Sequence, residues 1–196
     1  MLTKAEKTRQ HIIEKAAVLF NKKGMAGTSI NDIMQAANLA KGGIYGNFEN
    51  KEEICLEVFK YLSKNLLGLI DAALNSRDSA KDKLYALLDF YEDALLYSDK
   101  GGCPVLNFGT EADDTNPVIK QAVNKTIKDT QDRITRVIAD GIESGEFSPS
   151  VNAGAFAVKM YLSTEGAILV GRIQNSNQQM KIMNDILKAE IESFSQ

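Results

Sequence analysis

The chain has 196 residues, of which 44% are apolar and 25% charged. That is too apolar for disorder, and it allows one large domain or two smaller ones. The net charge of −3 argues against nucleic acid only when taken as a whole: residues 1–65 carry ten Lys/Arg against seven Asp/Glu, and residues 66–196 carry thirteen against nineteen. A basic end on an acidic body is the asymmetry of a protein in which one module meets phosphate.

Long Ala/Leu/Ile/Lys/Glu-rich stretches separate the three prolines, Pro104, Pro117 and Pro149, and they favour an all-α protein. Cys55 and Cys103 lie far apart, no CxxC spacing occurs, and His11 is the one histidine. A zinc site or a His-dependent triad is therefore not expected, no phosphate-binding loop is present, and no cofactor is implied. The N-terminal MLTKAEKTRQ is polar and lacks an apolar signal region, which predicts a cytoplasmic protein with reduced thiols. The longest apolar run, Ala153 to Val170, contains Lys159 and Glu165 and is too polar to span a membrane.

The first predicted helix starts at Thr3, with Glu6 completing a capping box, and runs to Gly24. Ile12, Ile13, Ala16, Ala17, Leu19 and Phe20 mark its inner face. Its lysines suit either a DNA backbone or a solvated face. Thr28 is read as the cap of the next helix, with Ile30, Ile33 and Ala37 inward and Asp32 in the first turns. Asn38 turns the chain, and Leu39, Ile44 and Phe48 carry the stripe through a short helix. Asn50 caps a long helix ending near Asn75. Ser79 starts another, with Leu84, Leu87, Leu88, Tyr91 and Leu95 inward, broken at Gly101-Gly102. Cys103-Pro104 opens a short helix through Glu111, and Pro117 starts the longest amphipathic stripe, closing near Gly141 and Gly145. Two helices follow, Val151 to about Ile173 and about Gln178 to Phe194.

The stretch from residue 28 to 51, TSINDIMQAANLAKGGIYGNFENK, packs two short helical patterns around a tight turn. A recognition helix must bring its N-terminal end into the major groove. Here that end is Ala40-Lys41-Gly42-Gly43. Two glycines cost about 1 kcal/mol each inside a helix, a cost that close approach of the backbone to a groove would explain; otherwise the pair marks a loop. Lys41 can reach a guanine edge or a phosphate, Thr28 and Tyr45 can donate hydroxyls to phosphates, and Asn47 adds a polar contact. Lys51 offers a charge beside helix N–H groups.

Residues 9–54 resemble the N-terminal domain of the TetR family of transcriptional regulators, with an AcrR-like helix-turn-helix. The likeness is carried by LFNKKG and by GTSINDIMQAANLAKGGIYGNFENKEEI, set against the family's G-V-S-K-G-T-L-Y-Y-H-F-x-S-K-E. Ala40 stands where a serine is usual, Gly46 where tyrosine is common, Asn47 where histidine is common, and Met34 where a small residue is often found. The resemblance implies about nine helices: a three-helix helix-turn-helix domain over residues 1–49, and a larger effector-binding and dimerisation domain over 50–196. It implies a repressor that binds a palindromic double-stranded operator as a homodimer, pairing through residues 151–194, and that is released by a small-molecule effector. Phe156, Ala157, Met160, Tyr161, Ser163, Thr164, Ala167, Ile168 and Gly171 give residues 151–173 an apolar, small-residue surface suited to such pairing. The family's pocket would be lined by Phe90, Tyr91, Leu95, Asn107, Phe108, Glu111, Tyr161 and Glu165, each of which also suits core or surface packing. Cys103, near a helix N-cap, is either an electrophile- or oxidant-sensitive thiolate or an inert buried thiol, and GCPVLNFGTE resembles a subgroup with cysteine at this place. The competing readings are an all-helical enzyme, for which no convergent catalytic set is found, and a helical protein-interaction module without DNA affinity.

Overall fold

The computed structural model describes residues 3–94 and 101–196. Among these residues are nine helices and one isolated antiparallel bridge, Phe147–Ser195. The helices are α1 (Lys4–Gly27), α2 (Ile30–Ala37), α3 (Lys41–Tyr45), α4 (Lys51–Leu74), α5 (Ala80–Ala94), α6 (Pro104–Ala112), α7 (Pro117–Glu143), α8 (Ala153–Gln174) and α9 (Gln178–Phe194). They form two compact units, one of Met1–Asn65 with Pro104–Asn124, the other of Leu66–Cys103 with Lys125–Gln196. Compactness thus groups α6 and the start of α7 with the N-terminal helices, a division unlike the expected one at residues 49 and 50.

In the first unit, α1 buries Ile12, Ile13, Ala16, Ala17 and Phe20 against α2 and α6. Ile33, Ile44, Phe48, Ile54 and Phe59 complete the core, and the Phe59 ring lies 5.2 Å from that of Phe108. The expected Thr3–Glu6 capping box is present. So is the break at Gly24, whose φ of +79° only glycine adopts readily. Asn38 occupies the left-handed region at φ 53°, as its place in the turn requires.

The cap of α2 is a correction: Ser29, one residue beyond Thr28, fills it. Ser29 and Asp32 exchange side-chain-to-backbone hydrogen bonds of 3.1 and 2.8 Å. Lys23, followed by Ser29, holds the Asp32 carboxyl well below the usual carboxylate range. Ser29→Ala is expected to destabilise the chain by about 1 kcal/mol, read from denaturant midpoints at constant slope.

In the second unit, α5, α8 and α9 pack on one another around Leu84, Leu87, Leu88, Phe156, Met160, Ile168, Leu187 and Ile191. The Glu146 carboxylate accepts from Ala80 N–H and Lys81 N–H at 2.8 and 2.7 Å, satisfying the start of α5. Phe194 stands edge-on to Phe147 and Phe156, which pins the end of the chain. Among the described residues no helix is long and apolar enough to cross a membrane.

Candidate nucleic-acid interface

The turn at Asn38 leaves α3 short, five residues, and its inner face is a single side chain, Ile44, fully buried. That fixes the outward face. Ala40, Lys41 and Gly42 are exposed, and Tyr45 is 44% exposed. Gly42-Gly43 therefore lies within a helix and not in a loop. A Cβ at Gly42 would meet nothing within 4 Å, and one at Gly43 would touch only the Leu39 side chain, at 3.4 Å. Neither glycine is required by the chain's own packing. Lys41 Nζ lies 5.8 Å from the centroid of the Tyr45 ring, so the cation and the phenol share one patch.

Three of the expected contact residues are spoken for inside the unit. Thr28 is fully buried, and its hydroxyl donates to Gly24 O at 2.8 Å, so that hydroxyl does not face phosphate. Lys51 Nζ donates to Met25 O at 3.0 Å. Asn47 Nδ2 donates to Gly43 O at 2.8 Å, closing α3. Its carbonyl accepts from Arg9, whose guanidinium also pairs with Glu53 at 2.8 Å and lies 4.1 Å over the Phe48 ring. His11 Nε2 sits 3.0 Å from Ala37 O at the end of α2. Arg9 and Asn47 thus fix the end of α3 against α1, His11 ties α1 to the end of α2, and the outward patch reduces to exposed Ala40, Lys41, Gly42 and Tyr45 with half-buried Gly43 among them.

The expected pocket residues separate in the same way. In the first unit, Asn107 Nδ2 donates to Asn21 O at 2.9 Å, Phe108 is core, and the Glu111 carboxylate accepts from Met25 N–H and Ala26 N–H. In this structure the polar atoms of Asn107 and Glu111 and the ring of Phe108 are engaged in packing within the unit. Cys55 is buried beside Glu111, and desolvation, then that carboxylate, push its thiol up to about 12. It is an inert core thiol.

In the second unit, Cys103, Tyr91, Tyr161 and Glu165 are all buried together. Cys103 Sγ lies 3.2 Å from Glu165 Oε1, while Glu165 Oε2 and Thr164 Oγ1 find no hydrogen-bond partner among the described residues. Burial raises the Glu165 carboxyl to about 7, against the opposing hydrogen bonds of Cys103 and Tyr161. Desolvation, then Glu165, raise both tyrosines, which stay neutral phenols. The Phe90 and Tyr91 rings lie 5.3 Å apart, tilted at 56° to each other. Leu95 lies outside the described residues. Among the described residues no group of three or more His, Cys, Asp or Glu could hold a metal ion.

The residues expected on α8 to pair with a second subunit (Phe156, Ala157, Met160, Tyr161, Thr164, Ala167, Ile168 and Gly171) are buried within one chain. The unpartnered apolar face is the opposite one. It comprises Val158, Leu162 (61% exposed), Leu169, Val170 and Ile173 (72% exposed) on α8, with Ile182 and Ile186 on α9. Sequence periodicity cannot separate the two faces, because α8 is apolar nearly all round.

Comparison with known proteins agrees with this geometry. Residues 12–58 match the model of the bacterial regulatory proteins of the tetR family, and residues 80–187 match the tetracyclin repressor-like C-terminal domain. A TetR-family regulator from Cytophaga hutchinsonii is 34% identical, with 100% of this chain and 98% of that one covered and a TM-score of 0.93. A TetR regulator from Chloroflexus aurantiacus J-10-FL is 33% identical, covering 99% and 98%, with a TM-score of 0.92. The HTH-type transcriptional repressor DhaR of Mycobacterium sp. (strain GP1) is 25% identical over 170 residues, 87% of this chain and 85% of that protein. With an exposed α3 on an Arg9-braced turn and family models covering both halves of the sequence, the chain belongs to the TetR family of bacterial transcriptional regulators.

Proposed function

We propose that this protein is a cytoplasmic repressor that binds a palindromic operator as a homodimer, one α3 entering the major groove at each half-site. Family membership makes it a ligand-responsive DNA-binding transcriptional regulator and not an enzyme. The observation that carries the proposal is the edge of α3 at exposed Lys41 and Gly42 and half-buried Gly43, where nothing in the chain's own packing requires glycine. Bare backbone there lets the helix end approach base edges, with Lys41 and Tyr45 flanking it. Residues 1–49 would hold DNA, and residues 50–196 the effector and the dimer contact.

One α3 offers a small surface, so pairing on a two-fold site supplies both affinity and spacing. The exposed stripe Val158, Leu162, Leu169 and Ile173, with Ile182 and Ile186, supports pairing through residues 151–194. The buried cluster of Tyr91, Cys103, Tyr161 and Glu165, with Phe90 alongside, is the proposed effector lining. The unpartnered Glu165 Oε2 is a polar group such a site would use. An effector need only bind the DNA-incompetent state better to shift the population away from the operator.

The test begins by selecting a duplex from a random pool with the wild-type chain. Its affinity should fall steeply with salt. Lys41→Ala should weaken binding about tenfold. Leu162→Glu should sediment as a monomer and lose tight binding. Absence of salt-sensitive binding to any duplex would overturn the reading.

A further inference from the structure

Glu111 does something that neither operator contact nor effector binding accounts for. At Gly24 the backbone turns to φ 79°, ψ 174°, and α1 is interrupted. Past this break, two backbone donors are met by a side chain from α6. Met25 N–H donates to Glu111 Oε2 at 2.5 Å and Ala26 N–H to Glu111 Oε1 at 2.6 Å. Bonds from N–H groups to a carboxylate are the strong kind, and using both oxygens fixes direction as well as distance. The fit is close: a Cβ at Gly24 would sit 2.7 Å from Glu111 Oε2. The same few residues are gripped from two further sides, by the Thr28 hydroxyl on Gly24 O at 2.8 Å and by Lys51 Nζ on Met25 O at 3.0 Å. The connector between α1 and α2 is thus a node where α6 and α4 both take hold.

Its position gives the node its meaning. Residues 24–28 lead directly into the Ser29 cap of α2, and α2 leads through Asn38 into α3. Residues 25 and 26 lie in the part of the chain matched as the N-terminal family domain, and Glu111 lies in the part matched as the C-terminal domain. All of them belong to one compact unit. We propose that Glu111 is a positioning residue for DNA recognition: its carboxylate clasps the α1–α2 connector and so sets the aim of α3. The inference rests on the DNA-binding role of α3. It adds that the residue fixing this aim belongs to α6 and not to the helix-turn-helix.

A positioning role differs measurably from a merely stabilising one. Ala26 is exposed and Gly24 and Met25 are half-buried, so the clasp lies outside the core of Ile12, Phe20, Ile33, Ile44 and Phe59. The probes are the duplex selected by the wild-type chain and a scrambled duplex of equal length. Glu111→Gln keeps the shape but can accept with only one oxygen, and it turns an NH2 toward the second backbone N–H. It is expected to lower affinity for the selected duplex about tenfold and for the scrambled duplex by less than about twofold. Amide exchange at Met25 and Ala26 should quicken. Glu111→Ala should give the same pattern; if it fails to fold, Glu111→Gln carries the test. A selected-to-scrambled affinity ratio that falls by at least about fivefold supports the clasp. A smaller change in that ratio overturns it, including the case where both affinities fall together with the thermal midpoint. A wild-type chain that selects no duplex would refute DNA binding itself, and unchanged exchange at Met25 and Ala26 in Glu111→Gln would separately refute the clasp.

Discussion

Gly42→Leu is expected to leave the chain at least as stable as wild type while weakening operator binding about a hundredfold, a loss of roughly 3 kcal/mol. The two halves of this result have separate causes. Inside the protein, a Cβ at position 42 meets nothing within 4 Å, so the new side chain has room. Glycine is the poorest ordinary helix former, so replacing it gains up to about 1 kcal/mol, less in a helix as short as α3. On the DNA, a side chain standing out from this edge holds the backbone away from the groove. Every base-edge and phosphate contact made by the same helix end then lengthens together, which is why the loss exceeds that of any one contact. Gly42→Ala should fall between the two. Gly43 is a poorer site for this experiment, because it is half-buried and a longer side chain there would have to grow past Leu39. The measurement is a duplex titration paired with thermal unfolding of the same samples. Wild-type affinity in a fully folded Gly42→Leu variant would mean that this edge faces water.

The reason this edge could be read from sequence, and its surroundings could not, lies in the range of the interactions. Asn38, the Gly42-Gly43 pair, Ile44 and the Asn50 cap are local signals, each decided within a few residues by backbone preference or helical period. The cap at Ser29 shows how fine that reading is. Two adjacent hydroxyl residues both suit a cap, and Asp32 three residues after Ser29 is the signal that separates them. Thr28 is left to donate backward to Gly24 O.

The contacts of Lys51 and Glu111 were hidden for a different reason. A lysine beside a helix start suggests phosphate, and a glutamate in an apolar helix suggests a cavity. In the fold Lys51 meets Met25 O, and Glu111 meets Met25 N–H and Ala26 N–H, across long sequence separations. Asn107 likewise reaches Asn21. No local pattern encodes such pairings. They also draw α6 into the N-terminal unit, where domain reading by sequence placed it in the body. On α8, apolar residues on most faces hid which stripe is core and which is open, and Leu162 and Ile173 were legible only once the burial of Phe156 and Met160 was known.

The buried carboxyl of Glu165 makes stability depend on pH in a direction opposite to that of an ordinary paired carboxylate. Glu165 is 6% exposed, and its carboxyl is raised from 4.5 to about 7, chiefly by desolvation. The groups facing it are Cys103 at 3.2 Å and the phenols of Tyr91 and Tyr161, and both tyrosines are themselves raised. Glu165 is thus the group of this cluster that changes charge between pH 4.5 and 7. Across that window the folded chain keeps the proton and the unfolded chain has lost it. The folded state therefore binds more protons, and unfolding free energy falls as pH rises. Below about pH 4.5 both states are protonated and nothing is lost; above about pH 7 the full penalty is present, on the order of 3 kcal/mol. Glu165→Gln removes the titration while keeping an acceptor for the Cys103 thiol. Its thermal midpoint should match wild type near pH 5 and exceed it by roughly 5–10 °C near pH 8. Melting curves of the two proteins at a series of pH values decide the point, since a constant offset between them would show that Glu165 is already ionised in the folded chain at pH 5. A ligand that supplies a hydrogen-bond donor or a positive charge to the unpartnered Oε2 would favour the ionised form and lower this carboxyl again. Effector binding at this cluster should then release a proton and strengthen with pH between about 5 and 7.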